Sequence, residues 1–501
     1  MAMDLTEGKP DRVLWSYSLP LFGSIVFQQL YNIADSFVAG KFVGEQALAA
    51  VGNSYEVTLI YLSFAVGLNI GASVVTARLF GARRIGQMKT AVNTAFLLCL
   101  AVCAVLMIVG FLFSPALIHS IQTPMEIYDD TMLYLNIYTG GLVFLFFYNI
   151  ATGIFASLGD SRTPFLFLAA SSIANIALDV LFVTAFNMGV AGVAWATFLC
   201  QGVTCVLAVL ALFRTLSRME AEERPRLFSR RILVNLVKIA LPSTLQQCFV
   251  SVGNIMIQSI INGFGTSAIA GYAAAIKFNN FAVTSFTTMG NGMSNFTAQN
   301  LGARRCDRVR EGYRGCLKMM ALIATAFAAV YVLLGDQVIR LFLNGENTQA
   351  LSVGKQFLRV VAPFYYAVAL KVATDGVLRG AGRMGEFMTD TFIDLALRVV
   401  LSFVLSSTEV EPPGVMISSA PLTTPSTISS APFNTPSMML SPSAADADKP
   451  HKLIAAMEAN IAAVFFIPFF LSFILFIRIS VSVLLFGIFI INMLCVIIMS
   501  V

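Results

Sequence analysis

Charge is what this chain has least of. Only 12% of its 501 residues are Asp, Glu, Lys or Arg, while 57% are hydrophobic. Soluble domains carry about 25% charged residues, so a water-soluble fold is excluded. Histidine is nearly missing: His119 and His451 stand far apart, which leaves no zinc constellation and no paired imidazole. Eight cysteines are scattered in or beside apolar runs without a C-x-x-C pair. Cys99 and Cys103 share a helical face and read as small buried thiols rather than redox or metal ligands. Short alternating strands are also missing, which excludes a membrane β-barrel. What remains is a long series of apolar runs of about 20 residues, the helical spanning signal, at a mean hydropathy of +0.80. The fold class is an all-α polytopic membrane protein. Met1–Arg12 is polar, and no cleavable leader is expected before the first span.

Spans are expected near 13–40, 54–80, 90–113, 131–156, 165–186, 189–213, 232–262, 270–300, 315–335, 356–379 and 387–406. Lysine and arginine divide unevenly between alternate connections. The N-terminus and the stretches around 78–89, 162, 214–238, 304–318 and 379–383 hold 22 of the 32. By the positive-inside rule that places the N-terminus in the cytoplasm. The net charge of +5 is thus a topology signal, and no nucleic-acid partner is implied.

The chain repeats itself. "LPLFGSIVFQQLYNIADSFVAGKFVGEQALAAVG" at 19–52 resembles "LPSTLQQCFVSVGNIMIQSIINGFGTSAIAGY" at 241–272, and both run on to the same close, "LFGARR" at 79–84 and "NLGARR" at 300–305. "NIALDVLF" at 175–182 lines up with "DLALRVVL" at 394–401, again at an offset close to 220 residues. Six spans per unit is an even number, so both halves enter the membrane in the same sense. The expected architecture is two parallel six-helix lobes related by an axis along the membrane normal, with a solute cavity between them. Gly81 and Gly302 are expected to end their helices in the left-handed conformation. Pro20 and Pro242 hold matching places in the first helix of each half, where a proline removes a backbone bond and kinks the helix. Pro20 is the candidate hinge.

The domain expectation is an N-terminal lobe over 1–213, a cytoplasmic linker over 214–231 and a C-terminal lobe over 232–406. Residues 407–452 are rich in Ser, Thr and Pro and read as disordered. Residues 453–501 form an atypical hydrophobic tail, which does not resemble the "GVAGVAWATFLCQG" at 189–202 that the duplication requires of a twelfth helix.

Few charges lie inside the spans, and they divide by lobe. In the second, Lys371 and Asp375 are four apart, as are Asp394 and Arg398, so each can pair along its helix; Lys277 and Asp390 lie near enough to join. In the first lobe, Asp35 and Asp179 have no basic residue at similar depth. Each stands roughly 8–11 Å inside the outer end of its helix, at 1.5 Å per residue. A carboxylate at the bilayer centre costs about 2.5–3.5 kcal/mol on insertion scales, so an accompanying cation is expected. Asn175 lies one turn from Asp179, Thr197 reaches comparable depth on the next helix, and Gln28 lies two turns inward of Asp35. Two carboxylates with amide and hydroxyl oxygens suit Na⁺ or a shared proton; the alternative is a purely structural hydrogen-bonding role for both acids.

At these residues the chain resembles the MATE family, the multidrug and toxic compound extrusion antiporters. The likeness runs over about residues 10–406 and includes the first-helix "DSFVAGKFVGEQALAAVG", the Gly-Ala-Arg loops, "GIFASLGDSRTP" at 153–164, "NIALD" at 175–179 and "GVLRGAGR" at 376–383. The resemblance implies export of drugs or toxic organic cations across the cell membrane, driven by inward Na⁺ or H⁺, with no enzyme activity and no bound cofactor. It implies a cation site, Na⁺ included, at Asp35, Asn175, Asp179 and Thr197, with Gln28, Tyr134 and Asn149 as supporting polar positions, Pro20 as the bend and one chain as the working unit. Some members carry a glutamate in the seventh helix; Val250 stands at the nearest place here. A lipid-linked saccharide flippase of the same broad superfamily is the alternative. It would want basic residues for a pyrophosphate.

Overall fold

The computed structural model describes residues 4–38, 42–120, 123–262, 266–340 and 348–407, with the side chains of 30–37, 255–260 and 397–407 among those left out. The expectations for 408–452 and for the tail at 453–501 lie outside the described residues. Thirteen helices and no strand occur among those described. The first lobe runs α1 (Pro10–Val38), α2 (Glu45–Gly81), α3 (Ile85–Ser120), α4 (Met125–Gly140), α5 (Leu142–Ser157), α6 (Arg162–Val180) and α7 (Gly189–Ser217). The second runs α8 (Arg230–Asn262), α9 (Thr266–Gly302), α10 (Cys306–Arg340), α11 (Thr348–Val361), α12 (Tyr365–Ala381) and α13 (Met384–Ser407). Helix starts recur at an offset close to 220 residues, as the repeats require. Two of the spans read as single helices are broken. The α4–α5 pair bends by 48° at Gly141, and α11 and α12 are separated by a 3₁₀ turn, Ala362–Phe364, around Pro363. Seven of the described helices are long and apolar enough to cross a membrane, eight if the bent pair is one span.

The spans differ in how far they are buried. The most apolar span, in α3, turns Val105, Ile108 and Leu112 outward, as a lipid-facing helix must when hydrocarbon is its solvent. The less apolar α2 is central and packs against α5 within its lobe and against α8 and α9 across the boundary. There the duplication becomes physical. A Cβ on Gly81 would stand 2.0 Å from the Gln299 carbonyl oxygen, and one on Gly302 would stand 2.1 Å from that of Arg78. The expectation that these glycines end their helices in the left-handed conformation is corrected. Both remain helical, and the left-handed residues are Arg83 (φ 60°) and Arg304 (φ 59°). Glycine is required at 81 and 302 because two backbones cross there, not because of its φ.

The same basic end of the bundle holds the N-terminal segment. Leu5 is fully buried. Its N–H donates to Gln299 Oε1 at 3.1 Å and its carbonyl accepts from Asn300 Nδ2 at 3.2 Å. Arg308 donates to the carbonyls of Leu5, Glu7 and Gly8, and Arg305 to that of Thr6. Asp4 pairs with Arg83 of the first lobe at 2.5 Å. Residues 4–8 thus clasp both lobes. Burial raises the Asp4 carboxyl, but hydrogen bonds from Thr6 and the charges of Arg83 and Arg305 outweigh it and hold Asp4 below the usual carboxylate range. Its contribution is therefore present above the unfolded value of about 3.9 and lost as pH falls through the lower folded value. Protection of the Leu5 amide in hydrogen exchange is expected to be the same at pH 7 and pH 5; a loss between those values would show that another group controls the clasp.

In the second lobe Lys371 sits between Asp375 and Asp390, 3.0 Å from an oxygen of each, and Gln246 donates to Asp375 at 3.2 Å. The expected pairing along α12 is present and extends to α13; the Arg398 side chain lies outside the described residues. Lys371→Met is expected to lower stability by ~1–3 kcal/mol, less than the loss at a fully buried pair because Lys371 is 30% exposed. Thermal denaturation in detergent checks this, and an unchanged midpoint would refute it.

Candidate functional site

Asn175 and Asp179 are one turn apart on α6, and directly after them the helix widens into a π turn, Leu181–Ala185. Such widenings concentrate at functional positions. The chain then reverses through Asn187 and Gly189, both at positive φ, and sends α7 back along α6. This brings Thr197 opposite Asn175. Asp179 is wholly buried and Asn175 and Thr197 nearly so. With its amide nitrogen facing the carboxylate, Asn175 donates to Asp179 Oδ2 at 2.9 Å and accepts from the Thr197 backbone N–H at 3.3 Å. The opposite orientation would set its oxygen against carboxylate oxygen, so the first is favoured.

A cavity of about 320 Å³ opens beside this group. Each helix contributes a stripe at helical spacing: Tyr17, Leu21, Ser24 and Gln28 from α1; Asn69 and Ser73 from α2; Asn149 and Thr152 from α5; Asn175 from α6; Thr197, Gln201 and Thr204 from α7; and Asn291 and Asn295 from α9 of the second lobe. No charged side chain stands among the described lining residues. Asp179 lies behind the wall, reached through Asn175.

Asn175, Asp179 and Thr197 therefore come together. Gln28 and Asn149 line the adjoining cavity, where the Asn149 amide is committed to the Leu145 carbonyl at 2.8 Å. Tyr134 does not line it. It packs in an apolar cluster with Val38, Val183, Val190 and Val193, its ring stacked on Tyr138. Val183 is one turn beyond Asp179 and Val38 one turn beyond Asp35, so that cluster ties the two helix ends together. The Asp35 side chain lies outside those described, although its backbone is part of α1. Helix α1 runs unbroken through Pro20, whose carbonyl accepts from Ser24 Oγ at 3.1 Å. Sequence reasoning missed Asn69, Ser73, Asn291 and Asn295. The stretch "NGMSNFTAQN" at 291–300 carries four amide side chains in ten residues of an otherwise apolar helix, and that density was the available signal.

An apolar-faced helical bundle with a cavity between its halves, lined from α1, α2, α5, α6 and α7 on one side and from α9 on the other, is the layout of a membrane transporter. The MatE family model matches residues 20–181 and 242–404, one match in each lobe. The chain belongs to the MATE family of multidrug efflux transporters. A probable multidrug resistance protein of Bacillus subtilis, YpnP, is 28% identical over 383 residues, 76% of this chain and 85% of the relative. The FAD transporter of Shewanella oneidensis is 28% identical over 63% of this chain and 70% of its own. Among solved structures, a MATE protein in complex with MaL6 superposes with a TM-score of 0.81 at 22% identity, over 96% of this chain and 99% of that one. An outward-facing multidrug resistance MATE transporter gives 0.79 at the same identity. The protein is thus a membrane transporter of small molecules and not an enzyme.

Proposed function

We propose that this chain is a secondary antiporter that exports small organic molecules across the cell membrane in exchange for Na⁺ or H⁺, by alternating access and with its N-terminus in the cytoplasm. The observation that carries the reading is Asp179: a wholly buried carboxylate hydrogen-bonded to an amide on a cavity wall. In a low dielectric such a group favours an accompanying cation or proton. Coupling then needs only that ion and cargo favour different arrangements of the lobes. Asp35, Asn175, Asp179 and Thr197 would hold the ion, and Pro20 would lend α1 its bend. Organic cations are the cargo class the acids suggest.

Two other cargoes fit less well. A lipid-linked saccharide carries a pyrophosphate and a dinucleotide such as FAD carries two phosphates, yet no Lys or Arg stands among the described lining residues. The test is reconstitution in liposomes. A fluorescent cation preloaded with the protein should leave faster when a Na⁺ or H⁺ gradient is imposed, and equal rates with and without either gradient would reject antiport. Topology is checked separately. Tags within 214–231 and 304–314 should both be cytoplasmic and tags near 120–128 and 345 external, whereas tags at 220 and 310 on opposite sides would break the parallel-lobe orientation.

A further inference from the structure

The segment that joins the two lobes is fastened along α3. The Met219 carbonyl accepts from Lys89 Nζ at 2.6 Å, and the Arg226 carbonyl accepts from Asn93 Nδ2 at 3.2 Å. The Arg226 N–H donates to Thr90 Oγ1 at 2.9 Å and the Ser229 N–H to Thr94 Oγ1 at 3.2 Å. Both threonine hydroxyls donate back along α3, to the Gly86 and Thr90 carbonyls, and so keep a lone pair for the linker. A Cβ on Gly86 would stand 2.6 Å from the Glu223 carbonyl oxygen. Between Gly86 and Thr94 the linker therefore descends about 12 Å along α3, at 1.5 Å per residue.

The descent sorts the charges. Glu220, Glu222 and Glu223 precede it, beside the end of α3 that follows Arg83 and Arg84. Arg224, Arg226, Arg230 and Arg231 lie along it, all exposed, and none forms an ion pair among the described residues. Between them Leu227 is 75% exposed and Phe228 49%. Within two turns beyond Thr94 the outward residues of α3 are Leu97 and Leu100, and within two turns beyond Arg230 those of α8 include Val234 and Val237. Leu227 and Phe228 thus extend the hydrocarbon-facing surface, and the arginines stand at its rim. That rim is the level of lipid phosphates. A guanidinium pairs with phosphate through two parallel hydrogen bonds while its stem lies along apolar surface, and basic residues beside an anionic leaflet are attracted to it.

We infer that residues 224–231 form a binding site for an anionic phospholipid of the leaflet that meets this end of the bundle, with Arg226 and Arg230 on its phosphate and Leu227 and Phe228 among its acyl chains. A zwitterionic lipid is the poorer partner, because its own ammonium offsets the phosphate. The site depends neither on antiport nor on which way the chain crosses the membrane. It does lie on the seam between the lobes: its backbone is held by α3 of the first, and Arg230 opens α8 of the second.

The test is native mass spectrometry of the full chain, released from a neutral detergent after incubation with dioleoylphosphatidylglycerol or dioleoylphosphatidylcholine. The parent chain should retain the anionic lipid at least tenfold more tightly. Arg226→Gln with Arg230→Gln should weaken its retention about thirtyfold, the effect of two basic residues at an anionic surface. Arg310→Gln with Arg314→Gln, an equal loss of exposed charge on α10, should leave it within threefold. Leu227→Ser with Phe228→Ser should weaken both lipids. All these side chains are exposed, so each variant should melt in detergent at the parent's temperature, which separates lost binding from lost folding. Four outcomes overturn the inference. Equal retention of the two lipids by the parent removes the headgroup preference. Equal losses from the two arginine pairs reduce it to the diffuse attraction of a basic face. Displacement of the lipid by an equal concentration of inorganic phosphate makes it an anion site without a lipid. A dimer that comes apart on Leu227→Ser with Phe228→Ser assigns the apolar pair to a second copy of the chain.

Discussion

Asp179→Asn protein should reach the membrane in normal amounts and yet lose gradient-driven export by at least a hundredfold. The exchange keeps shape and hydrogen-bonding capacity, and it removes a charge that the fold must otherwise hold in a dry interior. Folding should therefore not suffer. The amide still meets Asn175, whose side chain can turn to present its oxygen, so the local packing survives. What disappears is the anion that a Na⁺ or proton would neutralise. Cargo should still bind, because the cavity wall is built from other residues, but the imposed ion gradient should no longer move it. Asp35→Asn should do the same, and the two changes together should cost little more than either alone if they serve one site. Efflux from liposomes under a set gradient, normalised to protein in the bilayer, measures this. Export by Asp179→Asn at half the normal rate or better would make the carboxylate structural.

Gly302→Ala should be nearly as damaging, for a wholly different reason. The added methyl would lie 2.1 Å from the Arg78 carbonyl oxygen and 3.0 Å from the Ala82 nitrogen. Both are backbone atoms in the last turn of a long helix, so no side chain can swing aside. Overpacking of a core usually costs about 1–3 kcal/mol because neighbours yield; here the neighbours are backbone, and the loss should reach or exceed the top of that range. Gly81→Ala meets the Gln299 carbonyl in the same way and should match it. Arg305→Ala with Arg308→Ala, which frees the N-terminal segment but leaves the crossing intact, should cost clearly less. Fluorescence-detected size exclusion of the three variants ranks them. A Gly302→Ala protein as monodisperse and heat-stable as the parent would show that the lobes part easily at this end.

The features legible in the sequence were those that repeat or are rare. The duplicated GARR closes and paired prolines stood out because two stretches of one chain could be compared. Asp179 stood out because acids are scarce in apolar runs, and Asn175 and Thr197 followed from helical spacing and depth. Other features depended on what crosses what. A glycine before two arginines looks like a helix stop, and only the partner backbone reveals it as a crossing point. Leu5 lies in a stretch whose polar composition gives no hint that its side chain would be wholly buried. The cavity's amides were spread over six helices, so outside the amide-dense stretch at 291–300 no single stretch announced a wall.

The reciprocal contact at the two glycines has an evolutionary corollary. Residue 81 meets the strand of atoms around 299 while residue 302, its counterpart, meets the strand around 78. That is an isologous interface, the self-complementary kind that two identical subunits form about a two-fold axis. Here it is written into one polypeptide, as a fused homodimer would be. Fusion frees each half from having to remain a copy of the other. One half has kept Asp179 beside a cavity, whereas the other has set Lys371 among its acids. The seam between them is held to glycine on both sides because each must still fit its twin.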